Sequence, residues 1–116
     1  LCEQLTRDLL EAFEIRTPLR SSRAMESRST KSELILDLCR ESGATHYLSG
    51  PFGREYLDLE AFARARIDVR FHEYVHPTYA QSYRGFEPNL FAYDLLFHAG
   101  PGALRVLRTS TQAIAA

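Results

Sequence analysis

The stretch THYLSGPFGREYLDLEAFARARIDVRFHEY, Thr45 to Tyr74, decides the fold, because it reads as strand, glycine turn, helix and strand in one run. Its second half carries the sharpest pattern. In IDVRFHEY, Ile67, Val69 and Phe71 alternate with Asp68, Arg70 and His72, the period of two that sends successive side chains to opposite faces of a sheet. Just upstream, Asp58 stands as N-cap to LEAFARAR, whose inner face is expected to be Leu59, Phe62, Ala63 and the stem of Arg66. THYLSG is short and apolar enough for a strand that ends at Gly50. A crossover of this length between strands implies parallel pairing in a right-handed βαβ unit. Alternation, in place of a continuous apolar run, predicts that the second strand lies at an edge or keeps one face open.

Toward the N-terminus, TKSE places Thr30 as N-cap with Glu33 three residues on, a capping box. Leu34, Ile35, Leu38 and Cys39 form the expected buried stripe of that helix, and Gly43 its left-handed stop. Leu1, Leu5, Leu9 and Phe13 recur at spacing four and predict an amphipathic first helix. Between the two helices, EIRTPLRSS reads as a brief edge strand around Arg16 to Arg20, since Pro18 cannot donate to a central ladder. SRAMESRS is polar and aperiodic, the composition of a mobile loop.

Toward the C-terminus, Asn89 is expected to cap LFAYDLLFHAG, with Gly100 ending that helix and PGALRVL adding a further turn or two. The fold class is therefore α/β: a small parallel β-sheet built from βαβ units with flanking helices. It reads as a single domain over residues 1–110, with a disordered tail at 111–116.

Composition narrows the function. A formal net charge of −1 gives no basic face for counterion-release binding, so nucleic acid is not an expected partner. No apolar run approaches the roughly 20 residues of a membrane span, and no basic-then-apolar leader opens the chain. Cys2 and Cys39 have no CxxC spacing and sit in helical patterns, which predicts buried, reduced thiols and a cytoplasmic setting. The chain opens on Leu1 directly into amphipathic sequence and reads as part of a longer protein.

In a parallel α/β sheet, ligands gather outside the carboxyl ends of the strands, here SGPFG and the segment EYVHPTYAQ. In the first, Gly50 and Gly53 would let backbone approach a ligand, while Ser49, Arg54 and Tyr56 offer polar contacts. Pro51 lacks an amide proton and neither GxGxxG nor GxxxxGK[ST] is present, so the spacing alone favours a plain glycine turn over a phosphate loop. In the second, His76 with Tyr79 and Gln81 can do general acid–base work or orient a hydroxylated ligand. Its plain alternative is a surface loop of packed rings. His72 and His76 would share a face only on a helix, which Pro77 opposes, so no metal is expected, and no cofactor motif appears. No GxSxG elbow surrounds Ser49, and Cys39 lies mid-helix on the core side. Asp94 reads from pattern as a partly solvated helix position, and Asn89 as a cap.

Taken together, TKSELILDLCRESGATHYLSGPFGREYL, HPTYAQ and GFEPNLFAYDLLFHAGP resemble the WbqC-like family of bacterial proteins, over about Thr30 to Leu107. The shared patterns are S-G-P-x-G-x-x-Y-L, here Ser49 to Leu57; H-P-x-Y-x-Q, here His76 to Gln81; and G-x-F-x-P-N-L-S followed by D-L-L-F-N. This chain departs from the last block. It reads GFEPNLF, one residue tighter, with Phe91 where the family tends to have Ser and His98 where it tends to have Asn.

The resemblance implies that the chain is the C-terminal half of a longer protein, whose N-terminal half with its Q-P-x-Y-x-P motif is its first partner. It also implies a place in bacterial surface-polysaccharide and O-antigen synthesis. SGPFG and HPTYAQ then become expected walls of one site, with His76 as catalytic base and Ser49, Gly50, Gly53, Tyr56, Tyr79, Gln81, Asn89 and Asp94 as ligand-binding residues. The expected activity is acyl or aminoacyl transfer to an amino sugar, with a nucleotide sugar or amino sugar as ligand. Two other readings stand beside it: a non-catalytic module that binds a nucleotide sugar or partner, and an inactive truncated homologue.

Overall fold

The computed structural model describes residues 1–109 in full and the backbone of Thr111–Ala115; Ser110, Ala116 and the side chains of 111–115 lie outside the described residues. The chain forms two compact units, one from Leu1–Pro18 with Tyr74–Thr111, the other built on Leu19–Glu73.

The unit built on Leu19–Glu73 holds the βαβ element. Strand β1 (His46–Ser49) pairs in parallel with β2 (Asp68–Tyr74), His46 opposite Asp68 and Ser49 opposite Phe71. The strand order is β1-β2-β3, with β3 at Thr111–Ala115, so β2 is central and its alternation reflects an open face. Ile67, Val69 and Phe71 are buried while Asp68 and Arg70 face solvent, as their spacing predicts. The tail expected at 111–116 falls on β3 and on the residues outside the described set.

Helix α2 (Lys31–Glu41) and α3 (Leu59–Arg64) complete this unit's core, which gathers Leu36, Cys39, Leu57, Phe62, Ile67, Val69 and Phe71. Phe62 and Phe71 are fully enclosed. In α2 the deepest residues are Leu36 and Cys39; Cys39 is on the expected stripe, whereas Leu36 is not, and the expected Leu34, Ile35 and Leu38 are half-buried. Thr30 is the N-cap, yet its side chain makes no capping bond, so the capping box is not formed. Burial raises the Cys39 thiol pKa, whereas Cys2, off the stripe of the first helix, is exposed and corrects the expectation of two buried thiols. Asp58 does cap α3, accepting from the Ala61 amide at 3.0 Å.

The helix ends share one device. After α2, the Ala44 amide donates to the Cys39 carbonyl and the Gly43 amide to that of Arg40, with Gly43 at φ +68°, a Schellman motif. Two other helices close the same way on residues that are not glycine. Arg66 (φ +59°) follows α3 with Ile67 bonded to Phe62, and Glu14 (φ +55°) follows α1 (Cys2–Ala12) with Ile15 bonded to Leu10. Arg66 is therefore an exposed helix stop, not part of an inner face, and of the four residues expected on that face only Phe62 is buried. A left-handed L-residue costs about 1 kcal/mol relative to glycine. Arg66→Gly is accordingly expected to raise the urea midpoint by a stabilisation of about 0.5–1 kcal/mol, and an unchanged or lower midpoint would deny the strain.

The other unit packs α1, α4 (Ala92–Ala99) and α5 (Ala103–Arg108) around Phe13, Leu95 and Ala103. The leucine stripe of α1 deepens along the helix, from fully exposed Leu1 through half-buried Leu5 and Leu9 to buried Phe13. No strand forms at Arg16–Arg20: these residues are all exposed, so a strand there would have no apolar face to bury, and Pro18 cannot donate. SRAMESRS is partly ordered by a tight helical turn at Ser22–Ala24. The Ser27 and Ser29 hydroxyls also donate to the Asp37 carboxylate, whose pKa they lower. Helix α4 begins two residues later than its sequence signal, with Phe91 and not Asn89 at the N-cap. Asn89 instead takes φ +62°, a conformation asparagine tolerates better than most residues. Gly100 ends α4 as expected.

Candidate functional site

Residues Tyr74 to His98 bring the densest polar chemistry together, on the segment after β2 and on α4. Asp94 is the hub. Its Oδ2 accepts a hydrogen bond from the Tyr79 hydroxyl at 2.7 Å and another from Gln81 Nε2 at 3.1 Å. Gln81 is clamped in turn, because Nε2 also donates to the Glu87 carbonyl at 3.0 Å and Oε1 accepts from the Glu87 amide at 2.8 Å. The Gln81 amide thus imitates a backbone peptide and closes the loop 81–87 on itself. Burial and the bond to Asp94 raise the Tyr79 pKa, so the phenol is a proton donor at neutral pH.

His76 sits in an aromatic surround, with Tyr74 edge-on at 5.7 Å, Phe86 at 5.6 Å and Tyr79 at 6.3 Å between ring centres. Its Nδ1 lies 2.8 Å from the Pro77 carbonyl oxygen, which can only accept. Nδ1 therefore carries the proton of the neutral ring, and Nε2 carries the lone pair. The cavity beside it holds about 240 Å³ and is lined by Tyr74, His76, Tyr79, Asn89, Leu90 and Leu95, among others. A second cavity of about 400 Å³ lies around Gln81, Arg84, Phe86, Asp94 and His98, and Leu90 lines both.

Four of the expected site residues, His76, Tyr79, Gln81 and Asp94, are thus linked through Tyr79, and Asn89 shares the cavity of His76 and Tyr79. The other four, Ser49, Gly50, Gly53 and Tyr56, belong to the unit built on Leu19–Glu73. Ser49 is buried at 2% exposure and donates to the Gly50 carbonyl. A tight helical turn follows at Pro51–Glu55, in which the Gly53 amide donates to the Gly50 carbonyl at 3.0 Å. A Cβ on Gly53 would overlap Ser49 Oγ and stand 3.0 Å from Leu57 Cδ1, whereas a Cβ on Gly50 would meet nothing within 4 Å. Gly53 is thus demanded by packing. Gly50 adopts φ −67°, ψ 168°, open to any residue and favoured before proline. Tyr56 is half exposed, and Arg54 lies over the Phe71 ring at 4.2 Å.

Sequence reasoning missed Ser82 and passed over His98 as a catalytic group. The Ser82 amide and hydroxyl both reach His98 Nε2 at 3.0 Å, and His98 Nδ1 is 2.8 Å from the Asp94 carbonyl and 3.4 Å from Asp94 Oδ1. The legible signal was Asp94 and His98 four apart on one helix face. Among the described residues no three His, Cys, Asp or Glu side chains gather closely enough for a metal ion, and no helix is long and apolar enough to cross a membrane.

Comparison with known proteins places these residues in a family. Residues 1–106 match the WbqC-like protein family. The chain is 37% identical over 113 residues to "Uncharacterized protein Rv1507c" of Mycobacterium tuberculosis, a match covering 93% of this chain and 49% of that protein. It therefore spans about half the length of that relative. No solved structure matches significantly. The family match covers nearly the whole chain and includes every residue of the His76–Asp94 cluster: the chain belongs to the WbqC-like protein family.

Proposed function

We propose that this chain contributes an acceptor-binding and base-bearing site to a cytoplasmic enzyme that transfers an acyl or aminoacyl group to an amino sugar for bacterial surface polysaccharide. The observation that carries this reading is His76. Its Nδ1–H is held by the Pro77 carbonyl, its Nε2 is left as the lone-pair nitrogen, and it borders a mostly apolar cavity that two tyrosines, three leucines and the Asn89 carboxamide help to line. Aromatic faces suit the apolar faces of a sugar ring, and a few placed polar groups suit its hydroxyls. At about 240 Å³ the cavity is smaller than the roughly 300–1,000 Å³ of sites that hold drug-sized ligands, a size suited to one sugar ring.

In the proposed step the sugar amine attacks the carbonyl of an activated acyl donor, and its proton passes to His76 Nε2. The donor's leaving group then departs with that proton, leaving an amide. Tyr79, whose one hydroxyl proton is given to Asp94, offers its oxygen as an acceptor to a hydroxyl or the amine of the sugar; Gln81, spent on Glu87 and Asp94, holds the loop in shape.

The direct test incubates the full-length protein with nucleotide-activated amino sugars and a series of acyl thioesters and aminoacyl donors, read by mass spectrometry. A sugar product heavier by the acyl group is the expected result. Saturable sugar binding without any product would make the chain a binding module.

A further inference from the structure

We propose a second catalytic centre, in which Ser82 is a nucleophile activated by His98 and oriented by Asp94. Ser82 is exposed on the loop, and its Oγ lies 3.0 Å from His98 Nε2. The backbone amide of Ser82 also points at Nε2, at 3.0 Å, and an amide can only donate. Nε2 is thereby fixed as the acceptor, and Nδ1 carries the proton toward the Asp94 carbonyl at 2.8 Å and Asp94 Oδ1 at 3.4 Å. This is the tautomer a serine nucleophile needs, with Nε2 as the acceptor facing both the Ser82 amide and its hydroxyl, and the Asp94 backbone carbonyl, its carboxylate behind, on the far nitrogen. Asp94 is itself held on the other oxygen by Tyr79 and Gln81, so the imidazole rests on a fixed support.

A cavity of about 400 Å³ lies on the His98 side of this pair; Ser82 is not among its lining residues, which include His98, Tyr83, Arg84, Phe86, Glu87 and Asp94. An apolar ring beside a guanidinium fits an activated acyl donor with an anionic leaving group, such as a phosphorylated thioester. In the proposed reaction Ser82 Oγ bonds to the acyl carbon while its proton moves to His98 Nε2. The bond to the thiolate breaks, and the leaving thiol takes that proton. The acyl-serine is then opened by an amine or by water, whose proton passes through His98 back to Ser82 Oγ. The inference does not rest on the sugar acceptor proposed above, because acylation of Ser82 needs none.

The test is labelling of the full-length protein with a fluorophosphonate, followed by peptide mapping. The expected result is one adduct, on Ser82, absent from Ser82→Ala and formed at least about 10²-fold more slowly in His98→Gln. His98→Gln is the informative variant, since its longer carboxamide oxygen reaches the position of Nε2, can still accept from the Ser82 amide and preserve the loop, and lacks a base. Equal labelling rates in the parent and His98→Gln, or no adduct on Ser82 in the parent, would reduce the cluster to a loop clamp. If the Gln variant does not fold, the parent's adduct map alone decides the question. Failure here leaves acyl transfer through His76 standing, and loss of that activity with Ser82 still labelled would remove only the sugar reading.

Discussion

His76→Gln in the full-length protein is expected to lower turnover by about 10²- to 10⁴-fold, the usual contribution of a positioned general base. Glutamine keeps most of the volume, so the ring contacts to Tyr74, Tyr79 and Phe86 are lost while the chain stays folded. Binding of the acceptor should weaken much less than turnover falls, because the proton is taken only as the amine attacks. Turnover within a few-fold of the parent would remove His76 from the chemistry.

Gly53→Ala is the substitution expected to damage stability most for its size. The new methyl would overlap Ser49 Oγ and press on Leu57 Cδ1 at 3.0 Å, both in the buried floor of the turn. Overpacking of this kind costs about 1–3 kcal/mol, occasionally more. The same change in a Ser49→Ala background should cost less, since the nearest obstructing atom is gone, and the difference is the coupling energy of a double-mutant cycle. Gly50→Ala is the control. With open space and an ordinary extended conformation it should stay within about 0.5 kcal/mol of the parent by urea denaturation. A neutral Gly53→Ala would mean that the turn relaxes freely and that its glycine answers some other demand.

These two positions show where the sequence was readable. SGPFG presents two glycines that spacing cannot tell apart, yet only one is required by its neighbours, and that requirement comes from Ser49 and Leu57 closing over it. The alternation of Ile67, Val69 and Phe71 was legible because a period of two is set locally by the strand itself. Gly43 was legible as a helix stop for the same reason, while Glu14 and Arg66, doing the same work, carry no residue-type signal. The edge strand at Arg16–Arg20 failed because extended character without apolar alternation has nothing to bury.

The site was legible in pieces. His76, Tyr79, Gln81, Asn89 and Asp94 stood out by type, but the bonds that make Asp94 the hub join residues 13 and 15 positions apart and depend on the turn of the loop. Asp94 read from pattern as a partly solvated helix position, and the structure gives its carboxylate two side-chain donors. Ser82 offered no signal, since a loop serine beside glutamine and tyrosine is ordinary until His98 is seen to face it.

The most direct test of the central claim, that the His76 cavity is the ligand site, is an amide NMR titration of the protein with nucleotide-activated amino sugars. The account predicts saturable shifts at His76, Tyr79, Gln81 and Asn89. A saturable response that leaves those four amides unmoved, whether at Gly50 and Gly53 or elsewhere, would contradict it.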